Sequence, residues 1–504
     1  MELITERYGL TLGEAARRAA HRMPGRTACI DETATYKMSD VYNQACRVAN
    51  ALIAEGLQPG DRVGILMAYR RESMTTMIAV ALAGGVTEFL LPQYGSAELV
   101  RMLQTAPPHW LLYSAAHTAE VSAIIAEFAP QTAVVEDEAE APFHWSQLIS
   151  SGATEPPDVH VSPDSDALIL FTSGTTGTPK AVRRSHNSTL SQAVMYMQYL
   201  NINNRSVLAG MQVSYEVVPE IIADGGCFVL ADMLQPREWL RTIERRRITH
   251  TGGVTSLLQL WLSYPDWSEF DLSSLECIAV GSMTVPVELH AQLQARAGIP
   301  LTQVYGSIEA GVLAINMLTE GAQLAALGLP VEGKTIRIIG DNGADAASGE
   351  IGELVVRATG KYQFGLMSGY VDDALSPWQD GWLHTGDLVY RDDDGYLYLV
   401  GRTYETINVA GHKIYAPEVE RVLRSHPAVA DAAVIGVPDV KRGEVVVAYI
   451  VLKPQKSLTL KEIREHCSRT LAPHKLPKRF LFQETLPRTA TGKVNKQVLR
   501  EMAE

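Results

Sequence analysis

The segment Asp166-Ala-Leu-Ile-Leu-Phe-Thr-Ser-Gly-Thr-Thr-Gly-Thr-Pro-Lys180 has the strand-then-loop pattern of an α/β protein. Its first half, Asp166 to Thr172, is an apolar run of strand length that leads directly into a loop rich in Ser, Thr and Gly. Glycines let backbone N–H groups approach a phosphate, hydroxyls add donors, and Lys180 supplies a positive charge. α/β proteins bind ligands at such strand ends, although an ordinary surface loop has a similar composition.

The spacing of this loop differs from the two common nucleotide-binding motifs. The P-loop of NTPases requires GxxxxGK[ST], whereas Gly174, Gly177 and Lys180 lie three residues apart here and Ala181 follows the lysine. No GxGxxG follows a predicted strand. A Walker-type ATPase and a dinucleotide-dependent enzyme are therefore disfavoured.

Outward from this loop, short apolar runs alternate with segments of helical period, which is typical of α/β layering. Residues 61–68 and 276–281 predict buried strands, and residues 72–82 predict a helix that Gly84-Gly85 ends. A further helix is predicted to start near Val285-Pro286. Residues 351–358, with turn-rich flanks, predict a strand of an antiparallel layer.

The last hundred residues predict a small α/β unit of their own. Helices are expected at about 417–425 and 459–471, and strands at 432–437, 444–452 and 479–484. A strand-like Tyr-Leu-Tyr-Leu-Val-Gly ends at Gly401. We therefore predict a large N-terminal α/β domain with layered sheets over residues 1–402 and a small C-terminal α/β domain over residues 403–504.

Bulk composition excludes several classes of protein. The chain has 504 residues, 46% hydrophobic and 20% charged, which is the profile of a folded protein with more than one core. A net charge of −13 argues against nucleic acid or an anionic membrane as the main partner. Five scattered cysteines predict buried thiols rather than disulfides or a zinc site.

The termini and apolar runs predict a cytoplasmic protein. Met1 to Leu10 has neither a basic n-region nor an apolar h-region, so we do not expect a signal peptide. The longest apolar run, Met77 to Val86, is far shorter than a bilayer-spanning helix.

Five segments carry the most specific pattern, and they follow one another in this order: Thr172–Lys180, Gln303–Gly311, Gly381–Leu388, Gly401–Ile414 (with Glu418-Val-Glu420), and Pro487–Lys496. In turn they resemble the phosphate loop, the YGxTE motif, the ribose-binding motif, the hinge motif and the terminal lysine motif of the adenylate-forming superfamily. That superfamily comprises acyl-CoA synthetases, peptide-synthetase adenylation domains and luciferases. The resemblance extends over nearly the whole chain.

The resemblance implies an ATP site and a role for each matching residue. Glu309 would hold Mg²⁺ between the phosphates, Asp387 would accept the ribose hydroxyls, and Arg402 would contact the ribose or a phosphate. Tyr305 would stack on adenine, close to Gly281-Ser282. The full set of implied ATP-binding residues is Thr172, Ser173, Gly174, Thr175, Thr176, Gly177, Lys180, Gly281, Ser282, Tyr305, Gly306, Ser307, Asp387 and Arg402.

Lys493 is the implied catalytic residue, together with Glu309. Its ammonium would lie between the attacking carboxylate and the α-phosphate, where charge changes during the reaction. The family works in two steps, with the C-terminal domain rotating about a hinge that corresponds to residues 402–405 here. Rotation would withdraw Lys493 and present residues 411–413 to the incoming nucleophile.

Two positions depart from the family pattern. Ile308 replaces the threonine of YGxTE, which removes a hydroxyl expected near the α-phosphate. Tyr404 stands at the hinge position, where Asp or Lys is usual, so the charged switch contact is missing. We expect the change at Tyr404 to affect the second half-reaction more than the first.

The predicted acid-binding region is unusual as well. Residues 209–220 lack the histidine of the PxFHxxG-like stretch of many acyl-CoA synthetases. Gln212, Tyr215 and Glu216 are candidate pocket residues that would read a polar or amino group, and Met283 is a further candidate. Glu216 would equally well cap the next helix.

These observations predict an ATP- and Mg²⁺-dependent ligase that forms an acyl-adenylate and releases pyrophosphate. The acid is expected to be small, aryl or amino-bearing, and the acceptor a thiol, either CoA or the phosphopantetheine of a separate acyl carrier protein. An amide synthetase using an amine acceptor is one alternative. The other alternative is a non-catalytic relative that binds an acyl-adenylate. The joint presence of five charged motif residues argues against it: Lys180, Glu309, Asp387, Arg402 and Lys493.

Overall fold

The computed structural model describes the chain except for residues 1–8, 32–33, 68–69, 92–93, 173–178, 211–216, 223–225, 232, 282–284, 299–300, 319–322, 361, 489–493 and 504. The chain divides into two compact units. The first is built from residues up to 172, 178–335 and 357–381, and the second contains residues 336–356 and 382–504.

The first unit contains two large sheets. Its strands are β1 (Thr27–Ile30), β2 (Thr35–Lys37), β3 (Arg62–Leu66), β4 (Val86–Phe89), β5 (Trp110–Tyr113), β6 (Gln131–Val134), β7 (Phe143–His144), β8 (Asp166–Thr172), β9 (Lys180–Ser185), β10 (Val207–Ala209), β11 (Cys227–Val229), β12 (His250–Val254), β13 (Cys277–Gly281), β14 (Leu301–Ser307), β15 (Gly311–Met317), β16 (Leu329–Pro330), β19 (Gly369–Tyr370) and β20 (Trp378–Gln379).

One sheet has the order β19-β9-β8-β4-β3-β5-β6-β7, and the other has the order β16-β15-β14-β13-β12-β10-β11-β1-β2. In the first sheet the strands from β8 to β7 are parallel, and β9 returns antiparallel to β8. In the second sheet β14, β13, β12, β10, β11 and β1 are parallel. Parallel strands need crossover connections, and the helices between them supply these.

The helices of the first unit are α1 (Leu12–Arg22), α2 (Met38–Ala54), α3 (Arg71–Leu82), α4 (Ser96–Leu103), α5 (Thr118–Phe128), α6 (Trp145–Ser151), α7 (His186–Tyr199), α8 (Val217–Ile222), α9 (Pro236–Arg246), α10 (Thr255–Leu262) and α11 (Val287–Ala297). Short 3₁₀ turns lie at Ala115–His117, Trp267–Glu269 and Asp373–Leu375. α3 is buried along nearly its whole length, as its almost uncharged sequence after Glu72 predicts for a helix inside the core.

The second unit contains two smaller sheets. Its strands are β17 (Lys334–Ile339), whose first two residues are grouped with the first unit, β18 (Gly352–Ala358), whose last two residues are also grouped with the first unit, β21 (Trp382–Arg391), β22 (Leu397–Arg402), β23 (Thr406–Val409), β24 (His412–Tyr415), β25 (Val429–Asp439), β26 (Gly443–Leu452) and β27 (Arg479–Gln483). β18 and β22 both pair antiparallel with β21. The other sheet has the order β24-β23-β26-β25, with β27 parallel to β26.

Three helices, α12 (Ala416–Arg424), α13 (Leu460–Ser468) and α14 (Lys496–Glu501), and 3₁₀ turns at Thr403–Glu405 and Pro473–Lys475 complete the described part of this unit. α12 and α13 pack on one face of the β25–β26 sheet, with Val419, Leu423 and Ile463 fully buried. α14 packs on β25 and is held by Tyr449, whose hydroxyl donates to the carbonyl of Leu499 at 2.8 Å.

The predicted α/β class with layered sheets is confirmed, and most predicted elements are present. Residues 166–172 form β8 as expected, and α3 ends before Gly84, whose φ of +77° suits glycine. The β23–β24 hairpin was not predicted. Its two-residue turn, Ala410-Gly411, has φ of +52° and +85°, and alanine is a weak signal for a conformation that Asn usually supplies.

The two compact units are defined by packing and group residues 382–402 with the C-terminal segment. The domain limits at 402 and 403, and the hinge at 402–405, concern motion between the two reaction steps and stay predictions. The expected buried thiols are confirmed, since all five cysteines are buried and free, and burial raises the pKa of Cys29 to about 12. Within the described residues, no helix is both long and apolar enough to cross a membrane.

Glu88 on β4 is a buried carboxyl group in the core of the first unit. Its side chain is 0% exposed, and neither carboxyl oxygen has a hydrogen-bond partner among the described residues. The nearest cation, Nε of Arg62, is 3.8 Å from Oε1. Burial raises the pKa of Glu88 well above its usual value, and Arg62 only partly opposes this shift. Protonation of Glu88 therefore favours the folded state at low pH, and this contribution to the free energy of unfolding is lost as the pH rises through the folded-state pKa.

We therefore expect Glu88→Gln to raise the free energy of unfolding at pH 8 by about 1–3 kcal/mol, because the amide has no charge to desolvate. The gain should shrink as the pH is lowered towards 5. Urea unfolding of both proteins across this pH range measures the difference, with the exposed Glu55→Gln as control. Destabilisation of the Glu88 variant at pH 8 would contradict this assignment.

Candidate functional site

The carboxyl ends of β13 and β14 bring together the residues expected near adenine. The two strands are parallel, and Val280 pairs with Gln303, so Gly281 lies beside the segment Tyr305 to Ser307 at the same sheet edge. A Cβ atom on Gly281 would meet only the carbonyl of Val304, at an ordinary 3.6 Å. The protein's own packing therefore does not demand glycine at this position.

Gly306 has a different constraint. It pairs with Val312 across the β14–β15 ladder, where a Cβ atom would collide with the backbone of Gly311 and Val312. Its glycine is thus required by the close approach of the two strands. Ser307 lies at the end of β14, where its Oγ accepts a hydrogen bond from the backbone N–H of Ala310 at 3.0 Å.

Glu309 lies in the tight turn between β14 and β15. Its backbone carbonyl accepts from the N–H of Met367 at 2.8 Å, and its Oε1 accepts from the hydroxyl of Tyr370 at 3.3 Å. Met367 and Tyr370 both belong to the segment around β19, and Tyr370 is 61 residues from Glu309 in the sequence. The carboxylate is therefore held at both its main chain and its side chain.

Lys180 is brought to the same place from the glycine-rich loop. It is the first residue of β9 and pairs with Thr172, the last residue of β8, so the strands fix both ends of the loop. The Nζ atom of Lys180 lies 5.0 Å from the ring centroid of Tyr370, a cation–π distance. Tyr370 thus joins Lys180 to Glu309. Burial, and then the charge of Glu309, raise the pKa of Tyr370, so it stays a donor at neutral pH.

Two buried basic side chains that the sequence did not reveal fix the turn that carries Glu309. Arg184, 1% exposed, donates from Nε and Nη2 to the carbonyl of Ile308 at 3.1 and 2.7 Å. Lys334 donates from Nζ to the carbonyls of Ala310 and Val312 at 2.6 and 2.5 Å. Burial, and then the charge of Arg184, hold the pKa of Lys334 well below its usual value.

The side chain of Ile308, the residue that replaces the family's threonine, packs against the core of the first unit. Its apolar side chain is therefore part of the packing that supports the turn. The turn also depends on glycine. Gly311 and Gly365 have φ of +62° and +81°, and a Cβ atom on either would collide with the side-chain amide of Gln192. Gln192 in turn accepts from Nη1 of Arg184 at 3.2 Å.

The second unit places Asp387 and Arg402 together. They are partners in the β21–β22 register, and Nε of Arg402 lies 2.8 Å from Oδ1 of Asp387. The Asp387 side chain is only 6% exposed. Glu353 fixes the chain just before it, accepting from the N–H of Gly386 at 3.1 Å and bonding Nδ1 of His384 at 2.9 Å.

Tyr404, at the predicted hinge, contacts Arg402 through both its hydroxyl and its ring. Nη1 of Arg402 donates to its hydroxyl at 3.0 Å, and the guanidinium carbon lies 5.8 Å from its ring centroid. Burial raises the pKa of Tyr404, while the charge of Arg402 opposes that shift. The tyrosine therefore binds the arginine as a neutral group, through its hydroxyl and its ring.

Several predicted site residues lie outside the described residues. They are Ser173, Gly174, Thr175, Thr176 and Gly177 of the loop, the acid-pocket candidates Gln212, Tyr215, Glu216 and Met283, and Ser282 and Lys493.

Comparison with known proteins decides the family. Residues 16–371 match the sequence model of the AMP-binding enzyme, and residues 418–493 match that of the AMP-binding enzyme C-terminal domain. The chain belongs to the AMP-binding enzyme family. The resemblance inferred from the five motifs is therefore confirmed.

This AMP-binding enzyme is similar along its whole length to named relatives. It is 32% identical to an indoleacetate–CoA ligase of Aromatoleum aromaticum and 30% identical to a feruloyl-CoA synthase of an Amycolatopsis species, covering 98% and 97% of this chain and 98% of each relative. Among solved structures, it resembles the amide bond synthetase McbA of Marinactinospora thermotolerans, at 27% identity and a TM-score of 0.87, with 98% and 99% of the two chains covered.

It also resembles the O-succinylbenzoate CoA synthetase MenE of Bacillus subtilis in complex with AMP. The identity is 27%, the TM-score is 0.83, and the match covers 96% of this chain and 98% of that one.

Proposed function

We propose that this AMP-binding enzyme activates a small aromatic carboxylic acid with ATP and transfers the acyl group to CoA. In the first step a carboxylate oxygen bonds to the α-phosphorus of ATP while the bond to the β-phosphate oxygen breaks, and pyrophosphate leaves. In the second step a thiolate attacks the acyl carbonyl carbon and AMP leaves. The observation that carries this proposal is the joining of Lys180 and Glu309 through Tyr370, at the end of the β8–β9 loop.

The first step brings an anion to an anion, so its barrier is lowered mainly by fixed positive charge and by positioning. We assign Lys180 to the phosphates, because it closes the glycine-rich loop and its ammonium lies over the ring of Tyr370, the residue that donates to Glu309. Lys493 is assigned to the reacting carboxylate and α-phosphate. Arg184 and Lys334 are assigned to support of the turn, because they donate to the backbone carbonyls of Ile308, Ala310 and Val312.

The residues present fit a magnesium ion that is held chiefly by the nucleotide. No cluster of three or more His, Cys, Asp or Glu side chains occurs among the described residues, so a dedicated protein cage is absent from that part of the chain. Mg²⁺ is usually bound by one or two carboxylates together with phosphates and water, and Glu309 supplies such a carboxylate. When bound, Mg²⁺ would neutralise charge on the phosphates. Tyr370 would orient the Glu309 carboxylate through its hydrogen bond.

Asp387 is assigned to the ribose hydroxyls, and Arg402 orients its carboxylate. We expect Asp387→Asn to raise the KM for ATP about 10- to 100-fold, because an amide has one acceptor oxygen where a carboxylate has two. The KM for the acid should change less than threefold. Initial rates at varied ATP and acid test this, with Asp393→Asn, on a loop of the same unit, as control. Equal rises in both KM values would instead indicate a general loss of structure.

The relatives' names support an aryl acid, since indoleacetate and ferulate are aromatic and the solved neighbours include an O-succinylbenzoate CoA synthetase. A second function, amide synthesis, is favoured by the similarity to McbA over the whole chain. Transfer of the acyl group to a carrier protein is a third possibility, which the 30% identity to a triostin synthetase supports. We place the protein in the cytoplasm, where ATP and CoA are supplied.

One experiment separates these possibilities. Pyrophosphate release is measured over a panel of aryl, amino-aryl and fatty acids with CoA, with a phosphopantetheinylated carrier protein, or with a set of amines. Release that depends on an aryl acid, with formation of the aryl-CoA, supports the proposal. An acyl amide formed faster than the thioester would make the protein an amide synthetase. ATP binding without acid-dependent release from any acid would leave a non-catalytic binding protein.

A further inference from the structure

Lys496, the first residue of α14, bridges two carboxylates that come from separate parts of the second unit. Its Nζ lies 2.6 Å from Oε2 of Glu405 and 2.9 Å from Oε1 of Glu420. The lysine side chain is 15% exposed and that of Glu420 is 9% exposed. Glu420 also accepts from the backbone N–H of Val434 at 2.9 Å, so its carboxylate is fixed on β25.

Burial of these charged side chains costs desolvation free energy, and the two ion pairs hold Lys496 in one position. Burial alone would lower the pKa of Lys496, but the carboxylates of Glu420 and Glu405 outweigh it and raise that pKa. Charges taken out of water add little net stability even when paired, so such a network is better explained by the positions it fixes. The lysine is therefore charged and held in one place.

The network joins two segments that the family places at the centre of its mechanism. Glu405 closes the 3₁₀ turn Thr403–Glu405, which is the predicted hinge, and is 91 residues from Lys496 in sequence. Lys496 follows the predicted catalytic Lys493 by three residues.

The chain on both sides of residues 489–493 is fixed to the same unit. Arg488 forms a bridge with Val494, and the N–H of Asn495 donates to the carbonyl of Pro487 at 2.7 Å. N-terminal to residues 489–493, Nη2 of Arg488 lies 2.5 Å from Oδ2 of Asp431. C-terminal to them, Lys496 makes its two ion pairs with Glu405 and Glu420. The hinge and the base of the lysine segment are therefore parts of one linked structure.

We propose that Lys496 is a positioning residue for adenylation: through Glu405 and Glu420 it ties the hinge segment to the base of the segment that carries Lys493, so that both move together. This inference rests on the proposed function and deepens it. It assigns Lys496 no contact with a substrate. Its effect is confined to the half-reaction that uses Lys493.

The test compares the two half-reactions in Lys496→Ala, Lys496→Arg and the exposed control Lys461→Ala. Adenylation is measured as hydroxylamine-trapped pyrophosphate release, and thioester formation is measured from chemically synthesised acyl-adenylate and CoA. We expect Lys496→Ala to lower the kcat of adenylation about 10- to 100-fold, since small displacements of a catalytic group have effects of that size, with KM values for ATP and acid within threefold. Thioester formation should stay within threefold, and arginine should restore most of the adenylation rate.

Two further measurements test the coupling between Lys496 and Lys493. In a Lys493→Ala background the Lys496→Ala change should add less than a threefold further loss, because it acts through Lys493. Hydrogen–deuterium exchange of Lys496→Ala should rise in residues 403–409 and 494–501 together. Equal losses in both half-reactions, full additivity with Lys493→Ala, or faster exchange at one segment alone would overturn the inference. A wild type without acid-dependent pyrophosphate release would refute the proposed function instead, and the exchange experiment would still decide the coupling.

Discussion

Replacing Lys493 by alanine is expected to lower adenylation about 10³-fold, which corresponds to ~4 kcal/mol of transition-state stabilisation. The reason is electrostatic: the ammonium would neutralise the reacting carboxylate and α-phosphate as charge moves between them. The KM for ATP should change little, because ground-state binding is assigned to other groups. The measurement is pyrophosphate release trapped with hydroxylamine, at saturating ATP and acid.

The control for this change is Lys456→Ala, an exposed lysine of the same unit. Thioester formation from synthetic acyl-adenylate should survive in the Lys493 variant, since that step is assigned to the other domain orientation. If adenylation persists within tenfold of wild type, Lys493 does not have the assigned role. If both steps are lost together, the substitution has damaged the unit rather than one step.

Replacing Glu309 by glutamine should produce the second large effect, a fall of about 10²-fold in kcat/KM for ATP and a higher Mg²⁺ requirement. An amide keeps the shape of the side chain and its contact with Tyr370 but is a poor ligand for Mg²⁺. Rates measured over a Mg²⁺ titration at fixed ATP test this. Partial recovery of the rate at high Mg²⁺ is expected.

Two further variants distinguish the role of the Glu309 carboxylate from that of the Tyr370 hydroxyl that donates to it. Tyr370→Phe removes the 3.3 Å hydrogen bond and should lower the rate only several-fold, because the charge of Glu309 remains. Glu332→Gln changes an exposed carboxylate of the same unit and should have no effect. An unchanged Mg²⁺ dependence in Glu309→Gln would argue that the metal is held without this residue.

Part of the geometry of the candidate site could be predicted, because its residues lie in short contiguous motifs; their roles towards ATP stay predictions. Thr172 and Lys180 were expected to flank a loop after a strand, and they pair across β8 and β9. Asp387 and Arg402 were expected near the nucleotide sugar and form an ion pair. In each case a few residues of local sequence determine both the backbone shape and the side chain.

The supporting residues could not be predicted, because their contacts join distant parts of the chain. Tyr370 reaches Glu309 across 61 residues, and Arg184 reaches the carbonyl of Ile308 across 124. A single buried arginine or lysine has no sequence signal, since most such residues are exposed. Only the folded sheets show that these cations are used to fix backbone carbonyls.

The segment predicted to be the hinge, residues 402–405, illustrates both cases. The sequence revealed that Tyr404 departs from the family pattern, and the fold supplies the contact with Arg402 that takes the place of a charged pair. The neighbouring Glu405 drew no attention in the sequence. Its ion pair with Lys496 depends on the packing of α14 against the β25–β26 sheet, which lies beyond any local pattern.

Oxygen transfer from the acid to AMP would show that the acid is activated as an acyl-adenylate. An aryl acid that turns over is labelled with ¹⁸O in both carboxylate oxygens, and the reaction with ATP and CoA is run to completion. Because the attacking oxygen stays on the α-phosphorus when the thiol displaces AMP, mass spectrometry should find one ¹⁸O atom in AMP and none in pyrophosphate. AMP without label, or label in any other phosphate product, would contradict the account.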